Sequence, residues 1–201
     1  MKKSLLILPL VVIVAALGLA ACGGGSSSSG GSDDESAIEE TIETSATSSE
    51  PSKCTETQTA EFNETETGET GAAALKTCEK EAEEEQAPAE SVNVSNISVS
   101  GESATAEAEV TGSALNGQSV ELELVKEEGD WKLNKFLGFA NFDGAALAEG
   151  LEEELLEQEG VSASLAKCVS EGVAEISTEE AEALVFEKES GPIEELAESC
   201  E

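Results

Sequence analysis

The chain has 201 residues, 44 acidic and 10 basic side chains, a net charge of −34, and no histidine or tyrosine. So acidic a surface excludes nucleic acid, whose affinity comes from basic contacts to phosphate, and disfavours a body lying on an anionic bilayer. Without histidine a Ser-His-Asp triad is also excluded.

The N-terminus opens with Lys2 and Lys3 and continues as an apolar run over residues 5–21 that Pro9 interrupts. A basic start, a short apolar core and small residues before a break make a secretory signal peptide. At about 18 apolar residues the run sits at the lower limit for crossing a bilayer. Its end, Leu19-Ala20-Ala21-Cys22, resembles the lipobox of bacterial lipoproteins. That resemblance implies a signal peptide over residues 1–21, cleavage before Cys22, and a diacylglycerol on its thiol. The protein is then expected on the outer face of the cell membrane, with lipid as its membrane partner; two or more acyl chains give stable anchoring. Removing 21 of the 201 residues leaves 180, and losing Lys2 and Lys3 takes the charge from −34 to −36. Residues 22–32, the cysteine and a Gly/Ser run, read as a tether, about 17 Å across in its flexible part.

Folding is expected to begin at Asp33. Ser32 and Glu35 have the spacing of a capping box, and Ala37, Ile38 and Ile42 share a helical face. Residues 45–52, with Pro51, read as a break. Residues 54–64 read as a second short helix anchored by Phe62, Gly68 and Gly71 as a turn, and residues 72–86 as a third helix that Pro88 ends. The period then changes to two: Val92, Val94, Ile97 and Val99 alternate loosely, whereas Ala104, Ala106, Ala108 and Val110 alternate strictly. Val120, Leu122 and Leu124 follow, then Trp131 and Leu133. Four such segments make a half-buried antiparallel sheet, with hairpin turns at residues 100–102 and 128–130 and a wider loop over 112–117.

Leu122-Glu123-Leu124-Val125-Lys126-Glu127-Glu128-Gly129-Asp130-Trp131-Lys132-Leu133, after two or three helices, resembles the nuclear transport factor two-like family as found in small actinobacterial lipoproteins. The resemblance spans residues 33–139. It implies an α+β fold, N-terminal helices on a curved antiparallel sheet shaped like a cone, with a pocket at the open end. In that fold Trp131 either lines the pocket or fills the core, and core is favoured.

Residues 140–201 turn helical again and are expected to form a small all-α C-terminal domain, with a cap on the cone as the alternative. Leu147, Leu151 and Leu155 mark one helix, which Gly160 ends, and Leu165, Val169 and Val173 the next. Ser177 and Glu180 make a capping box. Gly191-Pro192 opens the last helix, with Ile193, Leu196 and Cys200 inward.

Five cysteines divide as one plus four. With Cys22 lipidated, Cys54, Cys78, Cys168 and Cys200 allow three pairings. Cys54–Cys78 and Cys168–Cys200 are expected, because each pair lies within one compositional block. No Cys-x-x-Cys spacing, calcium loop, phosphate loop or dinucleotide fingerprint occurs, so neither metal ligands nor a cofactor are expected. The acid–base residues of cone-fold isomerases, an Asp or His beside Tyr or a protonated Asp, have no tyrosine or histidine here to match. The expected function is therefore a non-catalytic, membrane-anchored extracytoplasmic lipoprotein that binds a partner protein or a small apolar ligand. A carboxylate-based enzyme in the cone pocket is one alternative. An acidic spacer or coat lipoprotein without a discrete ligand is the other.

Overall fold

A computed structural model describes residues 31–84, 88–113, 115–157, 161–187 and 191–200. The expected signal peptide, Cys22, most of the expected tether, Gln86 and Gly160 lie outside the described residues. The fold is α+β, with a four-stranded antiparallel sheet and eight helices among the described residues. None of those helices is long and apolar enough to cross a membrane.

Helix α1 (Gly31–Thr47) buries Ile38, Ile42 and Ser45, spaced i, i+4 and i+7, against the sheet. It corrects the sequence reading at both ends. Gly31 and Ser32 are already helical, so Ser32 lies in the first turn and not at a cap. The expected break at Ser45 also falls later. Ser45 is 7 % exposed, and its hydroxyl is hydrogen-bonded to the Gln58 side-chain amide at 2.8 Å, so the buried hydroxyl is not left without a partner.

The single helix expected over 54–64 is two, α2 (Lys53–Glu56) and α3 (Ala60–Thr67). Between them Gln58 makes a parallel bridge to Leu133. Leu133 N donates to Thr57 O at 2.8 Å and Thr59 N to Leu133 O at 2.9 Å. Main-chain pairing to a sheet edge outweighs weak helix propensity in a Thr-Gln-Thr run. Thr59 then caps α3, its hydroxyl accepting from Phe62 N at 3.0 Å. Gly68 (φ +68) and Gly71 (φ +58) make the turn into α4 (Ala72–Glu84). The Cys54–Cys78 disulfide staples α2 to α4 as expected, with Cα atoms 6.1 Å apart.

The strands β1 (Ser91–Ser100), β2 (Ser103–Thr111), β3 (Ser119–Glu127) and β4 (Asp130–Asn141) form a meander in sequence order. Glu128 and Gly129 have φ +56 and +106, so the β3–β4 hairpin turns through two left-handed residues, matching the strand twist. The loose alternation in β1 is a bulge. Between Ser95 and Ser98 the strand holds one residue more than its partner, with Asn96 at φ +51, so the inward positions move from Val94 to Ile97. The pairing of β3 with β4 also shifts register, and the inward series on β4 becomes Trp131, Leu133, Phe136, Phe139. Gly138 (φ +145) lies where a Cβ would come within 2.5 Å of the Glu182 carboxylate. The inner face presents Ala104, Ala106, Ala108, Val120, Leu122, Leu124, Trp131 and Leu133 to Ile38, Ile42 and Phe62.

Helices α5 (Gly144–Glu157), α6 (Ala163–Val173), α7 (Thr178–Val185) and α8 (Gly191–Ser199) enclose a second apolar cluster built on Leu147, Ala148, Val169, Val173 and Ala181. Asp143 caps α5, its Oδ1 accepting from Ala145 N and Ala146 N at 3.0 and 3.1 Å. Fully buried Gln118 clamps that cap to the β2–β3 loop, donating to Asp143 O at 2.8 Å and accepting from Asp143 N at 3.1 Å. The Ser177–Glu180 capping box forms as expected and opens α7. Its hydrogen bonds from the Ser177 hydroxyl and backbone N–H hold the Glu180 carboxyl below its ordinary range. The Cys168–Cys200 disulfide ties α6 to the end of α8.

The two clusters meet at aromatic rings. Phe186 stacks on Phe136 with centroids 4.9 Å apart and tilts against Phe139 at 4.8 Å. Phe136 in turn meets Phe62 at 5.4 Å, and Phe139 meets Phe142 at 5.1 Å. All five phenylalanines of the chain therefore form one continuous stack from α3 through β4 to the C-terminal helices. Glu182 Oε1 accepts from Phe139 N at 2.9 Å beside it.

Candidate functional site

Alanine on a strand leaves room that a larger residue would fill. Strand β2 has Ala104, Ala106 and Ala108 in a row on its inner face, and the space beyond Ala108 and Val110 is a cavity of about 500 Å³. Its sheet side carries Val92, Ala108, Val110, Val120, Leu122, Leu133 and Phe136. Ile42 and Ala46 of α1, Phe62 of α3 and Ala82 of α4 face them, and Ala89 and Leu115 complete the apolar lining. Ala89 N donates to Ala46 O at 3.1 Å and Glu90 N to Thr111 O at 2.8 Å, which ties the segment after α4 to α1 and β2.

Polar groups gather on the helical side. Ser45, Lys53, Gln58, Glu66, Thr67 and Cys78 all contribute to the lining, as do Glu81 and Glu84 of α4. Lys53 is 9 % exposed and Gln58 8 %, both well inside the fold. Gln58 is placed by the bridge to Leu133 and by the Ser45 hydrogen bond. Its Oε1 lies 3.3 Å from the Cys78 sulfur. That sulfur is bonded to Cys54 and carries no proton, so it donates nothing to the amide oxygen. A largely apolar hollow of this size with a few convergent polar groups is the usual form of a small-molecule site.

Trp131 lies elsewhere. It is 3 % exposed, in the core between sheet and α1, and is not among the residues lining this cavity. The pocket-lining alternative for Trp131 gives way to the core one. Its indole Nε1 donates to Asp34 Oδ1 at 2.9 Å, and Lys126 Nζ reaches the same oxygen at 2.7 Å while sitting 5.2 Å from the ring centroid. Those two hydrogen bonds, Lys126 first, hold the Asp34 carboxyl below its ordinary value. This cluster ties the first turn of α1 to the β3–β4 hairpin, away from the cavity.

Of the residues singled out from sequence, Phe62, Ile42, Cys78 and Leu133 come together at the cavity with Ala108 and Val110 of β2 and Val120 and Leu122 of β3, whereas Ala104, Ala106 and Leu124 do not line it. Cys168 and Cys200 are not part of it, and Cys22 lies outside the described residues. Sequence reading missed Gln58, Ser45 and Lys53. The one signal for Gln58 is the flanking Thr57 and Thr59, two strand-forming residues in a segment otherwise read as helix. Among the described residues no three His, Cys, Asp or Glu side chains converge as metal ligands. Comparison of the chain with protein-family models, with curated proteins and with solved structures returns no match.

Proposed function

We propose that the protein is a non-catalytic lipoprotein, anchored by lipid on Cys22 to the outer face of the cell membrane, whose body takes a small apolar ligand into the cavity. The observation that carries this reading is the cavity itself, about 500 Å³ between the helices and the small residues of β2. Its size falls in the range of small-molecule sites. Two disulfides support an oxidising, extracytoplasmic compartment. The finer fold belongs to the same proposal. A hollow between helices and a bulged sheet supports a nuclear transport factor two-like cone over residues 33–139. The separate apolar cluster of α5–α8 supports a helical C-terminal domain over residues 140–201.

The anchor is tested by Cys22→Ser. The expected result is release of the protein into the medium or an unprocessed precursor; processed protein still held in the membrane rejects lipid attachment at this residue. The cavity is tested with N-phenyl-1-naphthylamine, an uncharged apolar dye of matching size. Saturable fluorescence enhancement is expected with the purified body, weakened at least about tenfold by Ala108→Phe, whose ring occupies the hollow above a residue 1 % exposed. No saturable enhancement rejects the ligand reading and leaves the acidic coat protein. The carboxylate-enzyme alternative rests on Glu66, Glu81 and Glu84 in the same lining, and would require that a compound bound there be released chemically changed.

A further inference from the structure

The two edges of the sheet differ. On β4, Leu133 N and O pair with Thr57 O and Thr59 N, Trp131 O accepts from Thr41 Oγ1, and Phe139 N donates to the Glu182 carboxylate. On β1, no main-chain N–H or C=O bonds to any segment but β2 among the described residues. A bare edge invites a further strand, and proteins ordinarily guard it with charge or proline. Strand β1 has neither: its ten residues are Ser, Val, Asn and Ile, in a chain of net charge −34. Its inward Val92, Val94 and Ile97 are only half-buried, and Val99 is 36 % exposed.

The strand is also close to a chemical palindrome. Laid antiparallel on a copy of itself with Ser91 opposite Ser100, it sets Val92 opposite Val99, Asn93 opposite Ser98, Val94 opposite Ile97 and Ser95 opposite Asn96. Residues directly opposite in a sheet point to the same face. In a regular strand this register would set inward residues against outward ones, because Val92 and Val99 are an odd number of positions apart. The bulge between Ser95 and Ser98, with Asn96 at φ +51, inserts the one residue that restores the match. Val92, Val94, Ile97 and Val99 then meet one another on the core side, and Ser and Asn meet on the other. A second copy brings the same net charge, so it can approach only where charge is absent. Across paired β1 strands, Glu107 and Glu109 of β2 lie three strand spacings from their counterparts, about 14 Å, past the screening length of about 8 Å at physiological ionic strength. Glu90 and Glu102, both exposed, approach each other's counterparts only beyond the strand ends.

We propose that β1 is an interaction surface for a second copy of this chain, pairing antiparallel with its β1 about a two-fold axis that passes beside Ser95 and Asn96 to make one eight-stranded sheet. A two-fold contact uses the same edge on both copies and so closes at two. The occupied β4 edge keeps further copies from adding. The proposal is independent of the ligand-binding reading, because neither Val99 nor Ile97 lines the cavity.

The experiment is disulfide cross-linking of the full-length protein carrying Asn93→Cys and Ser98→Cys together. Both positions are exposed on the outer face, and five residues apart on one extended strand they are too distant to bridge within a chain. Under mild oxidation a covalent dimer is expected, at least about fivefold more abundant than with either substitution alone, which leaves each new thiol opposite an unsubstituted residue. Sedimentation of the full-length protein in neutral detergent should show a monomer–dimer equilibrium that tightens as salt rises from about 0.05 to about 0.5 M, since screening relieves the repulsion between acidic bodies. Val99→Lys should weaken that dimer at least about tenfold, as edge lysines do, with an unchanged circular dichroism spectrum. Lysine is chosen because it lowers the net negative charge, so a loss cannot come from added repulsion. Single variants that cross-link as well as the double one overturn the proposal. So does a protein that stays monomeric at about 100 μM in the higher salt, or a dimer that Val99→Lys leaves intact. Should Val99→Lys fail to fold, the cross-linking comparison decides alone.

Discussion

Trp131→Ala is expected to lower the free energy of unfolding by about 3–5 kcal/mol, the usual cost of emptying a buried tryptophan site. The site cannot collapse easily. Trp131 is 3 % exposed, and its neighbours are held from several sides. Its carbonyl accepts from Thr41 Oγ1 at 3.2 Å, its indole donates to Asp34, and Lys126 lies over the ring. The substitution therefore opens a void and also loosens α1 from the β3–β4 hairpin. Urea unfolding followed by circular dichroism measures the loss. Trp131→Phe should cost less, because most of the apolar area returns and only the indole N–H is lost. Dye affinity in Trp131→Phe should stay within about twofold, since the ring does not line the cavity; a tenfold loss would put Trp131 back into the site. The same cluster gives a pH signature. Asp34 is partly exposed and its carboxyl is held below its ordinary 3.8 by Lys126 and then Trp131. A depressed folded-state value means that this stabilisation is fully present above the ordinary value and is lost as pH falls through the lowered one. The Trp131 indole N–H resonance should accordingly shift in a transition centred below pH 3.8. A transition centred at or above that value would show that the hydrogen bonds do not stabilise the carboxylate.

Replacing Cys54 and Cys78 together by alanine is expected to cost about 3.5 kcal/mol in the chain-entropy account of a loop this long. The separation of 24 residues sets that figure. Local structure makes the loss consequential. Helix α2 has four residues, too few to persist without tertiary support. It is held by the bridge to α4 and by the pairing of residues 57–59 with Leu133. Cutting the bridge leaves the second contact alone and frees the α4 wall of the cavity, to which Cys78, Glu81, Ala82 and Glu84 belong. Urea denaturation of the double variant, compared with the unsubstituted protein before and after reduction, gives the stability change. Dye titration gives the effect on the site, where a loss of at least about fivefold is expected. A change under about 1 kcal/mol would mean that the pairing with β4 suffices and that the disulfide constrains little of the unfolded chain.

Much of the fold was legible because its signals are local. Strict alternation from Ala104 to Val110 and from Val120 to Leu124 fixes which side chains face inward, since a strand turns its side chains over every residue. The positive-φ turn at Glu128-Gly129, the Ser177–Glu180 capping box and the glycine pair at 68 and 71 each depend on two to four neighbouring residues. The cysteine pairing was legible for a related reason, because each bridge closes within one compositional block. The errors lie where a distant contact overrode a local preference. Ser45 stays helical because Gln58, thirteen residues on, supplies its hydrogen bond. Residues 57–59 leave the helical path because the edge of β4 offers main-chain partners some seventy residues away.

What the amino-acid sequence determined by itself was the acidic, histidine-free chemistry, the order of helices and strands, the inward set of the sheet and the two disulfide pairs. All of these follow from composition or from periodicity along one segment. The joining of all five phenylalanines into one stack and the cavity over the β2 alanines were decided only by tertiary structure. The reason is physical. An empty volume is a property of what several separate segments leave between them, and no single stretch of chain encodes a gap.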